Sequence, residues 1–239
     1  MRLSNVISIL FIFFVFQPDI HAQELKEEKL IEPGFAEWEK FIEGNEYQVY
    51  KMRSGNYLGT PFLYQDFKRG SVIFSNHGKI SDVPLNYNIS TAEVVYQKGG
   101  KTYLMFTDYV LSFTVSDTSS DKIRTFSREF IPHAKRSEFI EILTEGKVIL
   151  YKRRIKEMLE TEKNSHYSSP GPLDEYTDRK QFLVKQDNEI KLLRQRKKPT
   201  LELFGDHTTG ISQYIKKEKI KLHREEDLIK LVDYYNGLQ

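Results

Sequence analysis

From Tyr47 to about Leu193 the apolar residues of this chain recur with a period of two, and that pattern restricts the fold more than any other feature. Short runs rich in Val, Ile, Tyr, Phe and Thr occur at Ser71–Phe74, Val83–Asn88, Glu93–Gln97, Tyr103–Phe106 and Val110–Val115. Turn residues such as Asn76-His77-Gly78 and Gly99-Gly100 separate them. Alternation of this kind predicts antiparallel strands. Pro84 has no backbone N–H for a ladder, so it predicts an edge or a strand start.

Three segments repeat one device: Glu93–Leu104 (EVVYQKGGKTYL), Phe139–Tyr151 (FIEILTEGKVILY) and Gln181–Leu193 (QFLVKQDNEIKLL). Each has two apolar halves around a polar turn with Gly or Asn, which supply the positive φ of tight hairpins. They are expected to form hairpins in one meander. Phe139, Ile142 and Leu143 also fit a helical i, i+3, i+4 spacing, so a helix turn stays open there. Thr161–Lys180 is polar, contains Ser-Ser-Pro-Gly-Pro and shows no period. It predicts a long exposed loop, of a length that is sometimes functional and as often a plain excursion.

Helical spacing flanks this body. Phe35, Trp38, Phe41 and Ile42 share one face, with Glu37, Glu39, Lys40 and Glu43 on the other and Gly44 as a stop. Trp38 is expected to dock this helix, worth about 2–3 kcal/mol when buried. Beyond Pro199, Thr208 or Thr209 can cap a short helix carrying Ile211, Tyr214 and Ile215. In the last helix Glu225, Glu226 and Asp227 suit the positive end of the dipole, and Leu228, Leu231, Val232, Tyr235 and Leu238 form an apolar stripe. The expected class is α+β: a curved antiparallel β-meander sheet with a short N-terminal helix and C-terminal helices packed on it. The expected division is 1–22 signal peptide, 23–46 N-terminal helical segment, 47–198 antiparallel β domain with the loop at 161–180, and 199–239 C-terminal helical segment.

The signal reading rests on Arg2, the apolar run Val6–Phe16, the break at Gln17-Pro18-Asp19 and the small residue Ala22. The run is shorter than the ~20 residues a spanning helix needs. The chain contains no cysteine, which excludes disulfides, thiol catalysis, thiolate metal sites and a lipid carried on a cysteine. A disulfide-free exported chain favours a bacterial envelope. No second apolar segment is long enough to cross a membrane as a helix. The net charge of +2, from 36 basic and 34 acidic residues, argues against a dedicated nucleic-acid binder. Arg196, Lys197, Lys198, Lys216, Lys217, Lys219, Lys221 and Arg224 make a locally basic stretch against Glu202, Asp206 and Glu218, expected to be a solvated face.

Motifs that carry chemistry are few. There is no HExxH, GxSxG, Walker A, GxGxxG or EF-hand pattern. Ser119-Ser120-Asp121-Lys122 matches S-x-x-K but sits in a polar turn between strand-like runs, not at a helix start. His77, His133, His166, His207 and His223 lack the paired spacing of a metal face. Asp206-His207 lies in a Gly-flanked turn, where Asp tends to cap backbone. Asp174, Glu175 and Asp178 are close in sequence, with a solvated acidic loop as the expectation. No catalytic, cofactor-binding or metal-binding residue is assigned, and no cofactor is expected.

Gly59-Thr60-Pro61-Phe62-Leu63, Gly70-Ser71-Val72 and Leu85-Asn86-Tyr87-Asn88-Ile89 leading to Glu93, with the EEDLIKLVDYYN ending, carry a resemblance. Over roughly Gly59 to Leu238 the chain resembles a group of uncharacterised exported proteins of Bacteroidetes. The resemblance implies an envelope location and a shared fold, and no activity. The resulting expectation is an exported protein, periplasmic or peripheral to the outer membrane of a Gram-negative bacterium. It would be a non-enzymatic binding or interaction module for another envelope protein or a lipid, without nucleic acid and without an integral membrane span. The alternatives are a lipid or lipoprotein carrier, with a half-barrel sheet and a helical lid, and a hydrolase of unmarked type.

Overall fold

A computed structural model describes residues 50, 57–75, 78–105, 107–117, 122–161 and 173–238. The expected signal peptide (1–22), the N-terminal helical segment (23–46) with Trp38, His77, His166 and Ser119–Asp121 lie outside them. So does most of the expected 161–180 loop.

The alternating segments form strands β1 (Tyr57–Leu58), β2 (Lys68–Phe74), β3 (Gly78–Asn88), β4 (Glu93–Lys98), β5 (Lys101–Leu104) and β6 (Val110–Asp117). They continue with β7 (Lys122–Ile131), β8 (Arg136–Thr144), β9 (Ile149–Leu159), β10 (Asp174–Gln186) and β11 (Glu189–Leu192). All belong to one sheet in the order β1-β10-β9-β8-β7-β6-β2-β3-β4-β5, with β11 also on β10. Only β1 pairs in parallel, through Tyr57↔Asp174 and Leu58↔Glu175. Helices α1 (Lys197–Glu202), α2 (Thr208–Lys217) and α3 (Glu225–Asn236) follow. The architecture is therefore α+β with a curved, mostly antiparallel meander.

The three expected hairpins are present as β4–β5, β8–β9 and β10–β11. Gly99 and Gly100 at the first turn, and Asp187 and Asn188 at the third, all have positive φ. That is the backbone a two-residue turn needs to match strand twist. Phe139–Leu143 is strand. Pro84 sits opposite Arg69 of β2, one residue before β4 begins to pair at Leu85↔Tyr96. On that side β3 has no described partner before Leu85, although Pro84 is neither the start of β3 nor on a terminal strand of the sheet.

Two expectations need correction. The expected 161–180 loop does not extend through Asp174–Lys180, which opens β10, with Glu175–Lys180 pairing with Leu159–Arg154 of β9. Thr208 does not cap α2. It is the first helical residue, and its hydroxyl donates back to the Gly205 and Leu201 carbonyls.

The sheet curls strongly. Tyr87 of β3 and Phe139 of β8 are four inter-strand steps apart, about 19 Å in a flat sheet at ~4.8 Å per step. Yet the Phe139 amide donates to the Tyr87 hydroxyl at 3.2 Å, and the two rings are 5.6 Å apart. The inside of the curve is filled by Val72, Leu85, Val94, Tyr87, Phe113 and their neighbours. Phe113 stacks on Phe126 at 4.7 Å and meets Phe139 at 5.2 Å. Gly70 permits the tight approach of β2 to β6, since a Cβ there would lie 2.0 Å from the Thr114 carbonyl oxygen.

At one end of the same inner face the helices cover Leu150, Phe182 and Val184 with Phe204, Ile211, Leu228, Leu231, Val232 and Tyr235, all buried. Each such side chain contributes about 1.5–3 kcal/mol of burial. Asn236 locks α3 down. It accepts from the Val148 amide at 3.0 Å and donates to the Glu145 and Val148 carbonyls at 3.1 and 2.9 Å. The outer face carries a smaller cluster of Ile131, Ile140, Tyr151 and Leu183.

Candidate functional site

The chemistry of this protein is concentrated where β7, β8, β9 and β10 carry charged side chains into partly or fully buried positions. Strand alternation divides them between two faces. Register places Phe126, Glu141, Lys152 and Phe182 in one row on the inner face, and Ser127, Ile140, Arg153 and Gln181 on the outer face.

On the outer face, Arg153 donates to both oxygens of Glu138 at 2.7 Å, from Nε and Nη2. Arg136 Nε adds a bond at 2.6 Å. Arg153 Nη1 also donates to Gln181 Oε1 at 2.9 Å, and the His133 ring nitrogen lies 3.1 Å from the same oxygen. Burial alone would raise the Glu138 carboxyl, but Arg153 and Arg136 outweigh it and hold it below the usual carboxylate range. Close by, Glu129 accepts from the Tyr151 hydroxyl at 2.9 Å and from Lys185 Nζ at 3.0 Å. Burial, then the Glu129 charge, raises the Tyr151 phenol well above its ordinary value. Glu138 accepts three charge-assisted hydrogen bonds and is held ionised by them, so it is not arranged to exchange a proton with a substrate near neutral pH.

On the inner face, Lys152 reaches Glu141 at 2.9 Å and Glu225, the first residue of α3, at 2.7 Å. Arg124 approaches Glu141 at 3.8 Å. This cluster pins the helical layer to the sheet. Beyond it on the same face stand Arg154, Lys156 and Lys180, with Asp178 opposite Lys156. Lys156 Nζ donates to the Thr60 carbonyl at 2.9 Å.

The residues singled out from the sequence are dispersed. Asp174 accepts from the Thr161 amide at 3.1 Å and closes the base of β9–β10. On a strand Asp178 lies about 13 Å further on and Glu175 faces the opposite side, so the three do not form one site. His207 and Asp206 are exposed in a 3-10 turn, Gly205–His207, where the imidazole packs edge-on against Tyr235 at 5.6 Å. They border a surface cleft with Lys147, Asp187 and Glu189. Lys122 opens β7 and has no helical turn around it. Lys216 and Lys217 end α2, where cations suit the dipole. Among the described residues no group of three or more His, Asp or Glu is placed to hold a metal ion, and no helix is long and apolar enough to cross a membrane.

Sequence reasoning missed the charged clusters. Their one sequence signal is Lys152-Arg153-Arg154-Ile155-Lys156, a cationic run inside a strand. No family model matches the chain, and no match was found among curated proteins or solved structures.

Proposed function

We propose that this chain is an exported envelope protein that acts as a non-enzymatic interaction module, binding another envelope component through the exposed outer face of β2, β6 and β7. One observation carries the reading: the inside of the curve and the sheet–helix interface are filled by buried side chains, so docking of a protein partner falls to the outer surface. There Ile73, Leu111 and Ile123 are 41–72% exposed, among the small polar residues Ser112, Thr114, Ser116, Thr125 and Ser127. Apolar side chains spaced by hydroxyls suit a protein surface that must stay wettable until it binds. Export is supported by the charged start, the apolar run Val6–Phe16 and Ala22. The envelope of a Gram-negative bacterium is supported by the missing cysteine and the Bacteroidetes resemblance. The carrier reading fares worse, because Phe113, Phe126, Phe139 and Tyr87 occupy the volume a half-barrel would offer to a lipid.

The test is in-cell crosslinking of the full chain followed by identification of captured envelope components, with Ile73→Asp and Ile123→Asp as controls. Capture that disappears in those variants supports the reading. No captured component, or capture unchanged by both substitutions, overturns it. Mass spectrometry of the purified protein checks the carrier alternative, for which a stoichiometric lipid is required.

A further inference from the structure

We propose that Arg154, Lys156 and Lys180, on the inner face of β9 and β10, bind the phosphate group of a phosphorylated ligand. The buried and half-buried cations elsewhere on these strands have carboxylate partners: Arg153 has Glu138, Lys152 has Glu141 and Glu225, and Lys185 has Glu129. Arg154, Lys156 and Lys180 have no carboxylate within 4 Å among the described residues. Arg154 Nε is buried and makes no hydrogen bond there. A guanidinium N–H shut away from water without an acceptor is costly, and native structures seldom leave it so.

The three cations are neighbours. Arg154 pairs directly with Lys180 across β9–β10, and Lys156 is two residues further along the same face, opposite Asp178. Arg154 therefore stands between Lys152, held by α3 through Glu225, and Lys156, held by the Thr60 carbonyl. Lys180 is exposed, with its Nζ 5.8 Å from the Phe182 ring centre. Burial, reinforced by Arg154, pulls the Lys156 ammonium below its ordinary value despite Asp178. Three cations and one carboxylate leave a local charge of +2. A phosphate dianion neutralises it, whereas a single carboxylate ligand leaves a surplus. Guanidinium and ammonium donors together match phosphate oxygens in geometry and charge.

The full chain is titrated calorimetrically with inorganic phosphate and glycerol 3-phosphate at constant ionic strength. In parallel it is floated with phosphatidylglycerol vesicles against neutral phosphatidylcholine vesicles. Arg154→Gln and Lys156→Met are each expected to weaken binding about tenfold or more. A response to free phosphate lost in both variants assigns a soluble ligand. A vesicle response lost in both assigns a lipid headgroup. Binding absent from both arms, or kept by both variants, overturns the proposal. Far-UV circular dichroism checks that each variant is folded, and the two substitutions are independent should one fail.

Discussion

Replacing Glu138 by Leu takes away the acceptor of a buried guanidinium, and the structure sets the size of the effect. The side chains of Glu138 and Arg153 are 4% and 8% exposed, so the pair is desolvated on both sides. After the substitution Arg153 keeps Gln181 Oε1 at 2.9 Å and the His133 ring at 3.3 Å, neither of which carries a compensating negative charge. A buried charge stranded in this way costs about 3–5 kcal/mol. At about 2–4 °C per kcal/mol for a chain of this size, Tm should fall by roughly 6–20 °C. Arg153→Met strands the carboxylate instead. Arg136, still bonded to Glu138 at 2.6 Å and open to solvent, should limit that loss to about 2–3 kcal/mol. The double variant Glu138→Leu/Arg153→Met leaves no buried unpaired charge, since Arg136 is open to solvent, and should recover most of either loss. Urea unfolding of all four proteins gives the coupling directly.

The same pair predicts an acid response. The folded-state pKa of Glu138 lies below its unfolded value, so its contribution is complete above the unfolded value. It is lost as pH falls through the folded one. Glu138→Leu should flatten that part of the acid limb. Single-variant losses below about 1 kcal/mol, the range of exposed pairs, would refute the argument, as would a double variant no better than the worse single.

Asn236→Ala removes all three bonds that tie α3 to the β8–β9 turn and should cost about 2–3 kcal/mol in urea unfolding, with faster hydrogen exchange in α3. Gly70→Ala drives a Cβ to 2.0 Å from the Thr114 carbonyl, so β2 and β6 must separate. A loss of about 1–3 kcal/mol or failure to fold is expected, and wild-type stability would show the register to be wrong. Burial foremost, with the Glu129 charge added at Tyr151, raises both Tyr87 and Tyr151. Their contribution is full below the ordinary phenol value of 10.0 and is lost as pH rises above it. A near-UV titration should show these two ionising together with unfolding, whereas normal titration in the folded protein contradicts their burial.

The hairpins were legible because their turns are local chemistry: Gly99-Gly100 and Asp187-Asn188 announce positive φ in the residues themselves. The final helix was legible because its acidic start and its stripe from Leu228 to Tyr235 lie within three turns, whereas Leu238, expected on the same stripe, falls past the helix end and is exposed. Asp174–Lys180 was not. Both faces of that stretch are polar (Tyr176, Asp178 and Lys180 on one, Glu175, Thr177 and Arg179 on the other), so no period of two appears. It is strand because β9 offers a ladder, and Arg179 pairs across it with Glu157. The placement of β2 beside β6 was likewise hidden. Both alternate in the same way, and their meeting depends on Gly70 facing Thr114, 44 positions away.

The charged centre was hidden for a third reason, and Lys152–Lys156 shows it. As sequence, Lys152-Arg153-Arg154-Ile155-Lys156 is a basic run whose plainest reading is a solvated face. As a strand it is sorted by the pleat, one residue at a time. Arg153 goes outward to Glu138, 15 residues earlier, and Lys152 goes inward to Glu225, 73 residues later. Arg154 and Lys156 go inward too, where the Thr60 carbonyl accepts from Lys156 and no carboxylate among the described residues lies within 4 Å of either. Periodicity could have divided the run between two faces. It could not have told the satisfied cations from the unsatisfied ones, because that difference lies in where Glu138, Glu141 and Glu225 come to rest. If charge pairing alone shaped this strand, Arg154 would face a carboxylate as Lys152 and Arg153 do. Its exception is what points from stability toward recognition, and Arg154→Met makes the distinction. In phosphate-free buffer that variant should be as stable as the parent or more so, because an apolar side chain replaces an unpaired buried donor. A loss above about 2 kcal/mol there would mean that Arg154 holds the fold instead of awaiting a ligand.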